Sequence, residues 1–82
     1  MRSAEAFNAL NETEQHSAVL DGQFLADREE NGLIVQLLSL KNYYVERWYD
    51  PHANRILKHL AFNGTERLVP YIAHIKFSPP NL

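Results

Sequence analysis

The chain has no cysteine, only three glycines and no long apolar run. Without cysteine there is no disulfide framework, no thiolate zinc site and no thiol nucleophile, so the usual reinforcements of a small scaffold are missing. Gly22, Gly32 and Gly64 stand one to a turn, which excludes a phosphate-binding glycine loop. No internal repeat is visible, and solenoid architectures drop out. Residues 1–20 hold Glu5, Glu12, Glu14 and His16, a composition that fits neither a secretory signal nor a membrane span. The expectation is a cytoplasmic protein with no membrane association.

What remains is an 82-residue chain with eight Lys and Arg against ten Asp and Glu, and 45% hydrophobic residues. Size scaling gives a folded state that buries roughly 63% of the unfolded surface, a modest core for one domain. Residues 1–78 read as a single small α+β domain, and residues 79–82, opened by Pro79 and Pro80, as a tail. Charge is uneven: residues 1–32 carry a net −5 and residues 33–82 a net +3. Such a dipole suits either an acidic partner or two segments that fold beside one another and neutralise, and the second reading is favoured.

Turn chemistry organises the rest. Ser3 can cap a short turn through Ala6, Phe7 and Leu10, and Asn11 with Glu14 has the spacing of a capping box before a helix from Glu12 to Leu20. Gly22 would close that helix in the left-handed conformation. The rival reading makes Asp21-Gly22 a hairpin turn, with residues 12–21 running into an extra strand. From Gln23 onward, arms at residues 23–30, 33–40, 43–50 and 55–62 carry the β-branched and aromatic residues of strands. Asn31-Gly32, Lys41-Asn42 and the Pro51 to Asn54 loop separate them. A four-stranded antiparallel meander results. Leu68, Val69, Ile72 and Ile75 then recur at helical spacing, with Pro70 forcing a loose or 3₁₀ first turn from Thr65 and regular helix from about Leu68.

Loops of two, two and four residues fix a register. One face carries the apolar row Leu25, Leu38, Val45 and Leu60, where the last helix should dock. The other carries Tyr44, Glu46, Trp48, Leu37, Val35 and His59, with Glu46 directly across from His59. Both faces are too apolar for a sheet with one wet side, and the chain looks too short to cover them. A second copy would supply the missing cover, with Trp48 as a central contact.

Two functions therefore stand as expectations. The first is a homodimeric interaction or structural module that uses the face around Trp48, its partner being itself or an unidentified protein. The alternative is a small-molecule binder or minor enzyme with a pocket formed by Tyr44, Glu46, Trp48, Arg55 and His59. A carboxylate beside an imidazole is also an ordinary cross-strand pair, and no nucleophile accompanies this one. No cofactor is expected. Histidines 16, 52, 59 and 74 lack metal-ligand spacing. A base-stacking platform is disfavoured because Arg47 and Lys58 fall on the face opposite Trp48 and Tyr44, and the pI is near 6.0.

The run Tyr43-Tyr44-Val45-Glu46-Arg47-Trp48-Tyr49-Asp50, the turn with Asn54 and the later Leu68-Val69-Pro70-Tyr71-Ile72 resemble a pattern in short bacterial proteins of unknown function. The likeness spans roughly residues 22–75 and implies a sheet followed by a helix. It brings no activity, cofactor or catalytic residue, and Arg47 stands where that pattern has an aliphatic residue.

Overall fold

A computed structural model describes residues 3–72. Two short helices, α1 (Ala4–Asn8) and α2 (Glu12–Ala18), and a 3₁₀ turn at Val19–Asp21 lead into the sheet. Strands β1 (Gln23–Glu30), β2 (Leu33–Ser39), β3 (Tyr44–Asp50) and β4 (Arg55–Phe62) follow, and a 3₁₀ helix, Glu66–Tyr71, ends the described chain. The strands form one antiparallel sheet in sequence order. This is the α+β meander the turn residues imply. Ile75, His74 and the expected tail at residues 79–82 lie outside the described residues.

Local chemistry explains most boundaries. The Ser3 hydroxyl accepts the Ala6 N–H at 3.1 Å, and Asn11 and Glu14 complete a reciprocal capping box, with Oδ1 and Oε1 accepting at 2.8 and 3.1 Å. Asn31 and Gly32 both take positive φ, 51° and 83°, as a twisted two-residue hairpin requires. Asn54 turns the longer loop at φ 53°. There Asp50 Oδ1 accepts the His52 and Ala53 N–H groups at 2.9 and 3.3 Å.

Gly22 departs from the expected left-handed cap: its φ is −79° and its ψ 154°. Glycine is needed for space instead, because a Cβ would lie 3.1 Å from the Val19 carbonyl oxygen and 3.3 Å from Leu40 Cδ1. Over its described residues the C-terminal element also differs in kind from the expected regular helix. It stays 3₁₀ through Tyr71, with Leu68 N–H donating to Thr65 and Ile72 N–H to Val69 across Pro70. No regular helix starts at Leu68 among the described residues.

Two β-bulges correct the expected register. In β1 the pairing shifts between Phe24 and Ala26, leaving Leu25 as the extra residue. In β4, Tyr49 pairs with Ile56 but Trp48 pairs with Lys58, so Leu57 is extra and everything after it changes face. Glu46 therefore faces Leu60, and His59 faces Arg47 on the opposite side of the sheet. The expected Glu46–His59 pair does not exist. A uniform alternation from Arg55 to Phe62 fails because one inserted residue inverts the parity of all that follow.

The covering elements are exchanged as well. The N-terminal helices, not the last one, lie on the Leu38, Val45 and Ala61 side, where Ala4, Phe7, Val19 and Tyr43 complete a buried cluster. The 3₁₀ helix covers the other face, packing Tyr71 and Leu68 against Ala26, Leu37 and Phe62. Both apolar faces thus find cover within one chain, and the argument that only a second copy could supply it does not hold. No helix among the described residues is long and apolar enough to cross a membrane.

Candidate functional site

The expected site residues separate into different environments. Tyr44 is half-buried and stacks on Phe62, with ring centroids 5.6 Å apart. Arg55 is exposed at the start of β4, across from Asp50 and four ladder positions from Glu46. Trp48 is 4% exposed, beneath Lys58 Nζ at 4.4 Å from the ring centroid, and its indole N–H donates to Glu30 Oε2 at 3.2 Å. It is a core residue with a polar handle, not an open contact surface.

Glu46 is 1% exposed and is the centre of a polar network. Its Oε2 accepts from the Tyr71 hydroxyl at 2.6 Å and from Arg28 Nη2 at 3.1 Å, and its Oε1 accepts from Arg67 Nε at 3.0 Å. Arg28 Nη1 also donates to Glu30 Oε1 at 2.7 Å. Burial opposes the Arg28 charge, yet its bonds to Glu30, Tyr71 and Glu46 outweigh that and push its pKa above an already high value. The bonds from Arg28 and Trp48 pull the Glu30 carboxyl below the usual range, while burial and the Glu46 carboxylate push the Tyr71 phenol up. Both Glu46 oxygens are bonded, although Arg28 Nε is buried without a hydrogen-bond partner among the described residues, and the bonds from Arg67 and Tyr71 fasten the C-terminal 3₁₀ helix to the sheet. The network is a structural latch.

A different arrangement surrounds His59. A cleft of about 290 Å³ runs between Glu12, Thr13 and His16 of α2 and residues 56–59 of β4. The His59 ring lies edge-on to Phe7, centroids 6.2 Å apart, and its Nε2 is buried without a hydrogen-bond partner among the described residues. Burial, reinforced by the charges of Arg47 and His16, lowers its pKa to about 4, so the imidazole is neutral at physiological pH. Neutral imidazole, the Thr13 hydroxyl and the flanking Glu12 and His16 offer donors and acceptors around apolar walls from Ile56 and Leu57, while the Lys58 ammonium lies over Trp48 on the other face.

His59 does line a cleft, but its neighbours are Arg47 and α2 and not the Glu46 and Trp48 that strict strand alternation predicts. His16 and Thr13 were out of reach of spacing arguments because they meet His59 across the fold. Arg28, Arg67 and Tyr71 were missed as partners of Glu46; the one available signal was that a carboxylate in an aromatic strand needs cationic or hydroxyl donors from elsewhere. Among the described residues, no three His, Asp or Glu side chains converge as metal ligands. No family model, curated protein or solved structure matches this chain.

Proposed function

We infer that this protein is a small-ligand-binding module whose site is the cleft between α2 and β4. The observation that carries this reading is a cleft of mixed apolar and polar lining that adjoins His59, whose buried Nε2 has no hydrogen-bond partner among the described residues. A buried polar atom without a partner costs free energy, and a ligand that supplies one recovers it. The Glu46 network also keeps one unpaired donor, Arg28 Nε, but both oxygens of its carboxylate are already bonded within the chain. Nuclear magnetic resonance tests the assignment directly: the His59 ring nitrogens should shift, and their titration should move, when a broad panel of small metabolites is added. Indifference of His59 and of the α2 amides to the whole panel would retire it.

A second reading, self-association, keeps separate support. Leu20, Phe24, Val69 and Ile72 are 73, 52, 63 and 62% exposed, the most exposed large hydrophobic side chains among the described residues. On this reading the contact involves Phe24 on the edge strand β1 and not Trp48. Light scattering on the native chain and on Phe24→Asp decides it: a dimer that the substitution dissociates supports it, and a 9.5 kDa species at micromolar concentration opposes it.

A further inference from the structure

The class of ligand is written in the outer edge of β4. This strand ends the sheet, so every second residue turns its backbone N–H and C=O away from β3. At Ala61 those two groups are already taken. The Asn8 carboxamide lies against the edge, its Oδ1 accepting the Ala61 N–H at 2.8 Å and its Nδ2 donating to the Ala61 carbonyl at 2.9 Å. Between Ala61 and His59 the pairing with β3 is regular, through Val45, Glu46 and Arg47. His59 therefore presents the same outward pair one rung further along, and that rung adjoins the α2–β4 cleft. Asn8 also blocks the neighbouring rung, which limits what can pair here to a compact group and not a long strand.

We propose that the cleft binds a small molecule bearing an unsubstituted carboxamide or lactam on an apolar body, its amide pairing with the outward N–H and C=O of His59 as Asn8 pairs with those of Ala61. An amide with N–H and C=O side by side makes both bonds to one residue, as Asn8 does at Ala61. An ester lacks the donor, and a dialkylated amide has lost it. Ile56 and Leu57 supply apolar contact for the body of the ligand, and Thr13 stands on the opposite wall.

This proposal rests on the cleft being the binding site, and the experiment separates the two. Benzamide, N,N-dimethylbenzamide and methyl benzoate are titrated into the ¹⁵N-labelled full chain, beside an acetylated tripeptide amide. Benzamide should move the His59 backbone amide signal downfield with a Kd on the order of 1 mM. Both analogues should bind about tenfold or more weakly, because each loses a hydrogen bond and leaves an edge group unpaired. Thr13→Phe, at an exposed helix position, should abolish the benzamide shifts while leaving the unfolding midpoint in place. Equal binding of all three aromatic probes would overturn the amide pairing and leave the cleft as an apolar site. A tripeptide that outcompetes benzamide would replace the small molecule with an extended chain and overturn the assignment of ligand. Silence of the cleft toward every probe and toward the metabolite panel would remove both the proposal and the reading beneath it.

Discussion

Replacing Glu46 by glutamine keeps the shape of the side chain and removes its charge, which isolates what the buried carboxylate contributes. An amide nitrogen cannot accept from Tyr71, Arg28 or Arg67, so at least one of the three bonds at 2.6, 3.1 and 3.0 Å is lost and a donor is left unpaired. Bonds to a charged group contribute about 1.5–3 kcal/mol each. The Arg67 ion pair counts for little of this, because the Arg67 side chain is 47% exposed and solvent screens it. Most of the effect belongs to Tyr71, which is fully buried, and to Arg28, whose side chain is 18% exposed. Together they make Glu46→Gln about 2–4 kcal/mol less stable. For a chain of this size, with total stability of about 4–12 kcal/mol, that is a large fraction. Urea denaturation of Glu46→Gln, Tyr71→Phe and the double variant measures the coupling directly. A latch requires a coupling of about 1 kcal/mol or more between the two positions. Loss of the latch should also release the 3₁₀ helix from Ala26, Leu37 and Phe62 and raise binding of a hydrophobic dye. Additive effects with no dye binding would refute the argument that Glu46 holds this segment down.

Other expectations follow from single contacts. Asn8→Ala removes both bonds to the β4 edge and should cost about 1–2 kcal/mol by urea denaturation, with faster hydrogen exchange at the Ala61 amide. Gly32→Ala places a side chain at φ +83° and should cost about 1 kcal/mol or more in a thermal melt, although its Cβ would meet nothing within 4 Å. Trp48 fluorescence should be blue-shifted and resist iodide quenching, since the ring is 4% exposed and covered by Lys58.

The legible part of this fold was local. Capping boxes, Asn-Gly turns and strand composition act within a few residues, so α2, the four strands and the pairing beside all three hairpin loops follow from reading along the chain. Both bulges were illegible for the same physical reason. Leu25 and Leu57 are as good strand residues as their neighbours, and nothing local marks either one as the unpaired residue. A bulge is stabilised by what the shifted strand then buries. In β4 the shift turns Ala61 into the cluster of Phe7, Val19 and Val45 and turns Phe62 toward Tyr71 and Leu37. Those gains depend on elements far away in sequence, so tertiary packing overrode the pattern. The candidate site inherited the error, since moving His59 across the sheet separated it from Glu46 and delivered it to α2.

The position of His59 makes stability respond to acid in a defined window. Desolvation, with Arg47 and His16 nearby, lowers its pKa from 6.5 to about 4 in the folded chain. Between those two values the unfolded chain binds a proton that the folded chain refuses, so stability falls as pH drops from about 6.5 to 4 and is unaffected by this group above 6.5. The full shift would be worth about 3 kcal/mol, but the ring is only half-buried and solvent screening reduces this to about 1–2 kcal/mol. His59→Phe fills similar space beside Phe7 and has no proton to bind. Its urea denaturation midpoint should therefore match or exceed that of the native chain at pH 7.5. At pH 4.5 the native chain should lose about 1 kcal/mol more than the variant. Remaining acid sensitivity, common to both, belongs to carboxylates such as Glu30, whose lowered pKa moves its own loss to more acidic solution. Parallel stability curves for the two proteins from pH 7.5 to 4.5 would mean that His59 takes up its proton in place. The imidazole would then already have water or a polar partner, and the unpaired nitrogen on which the binding site rests would not exist.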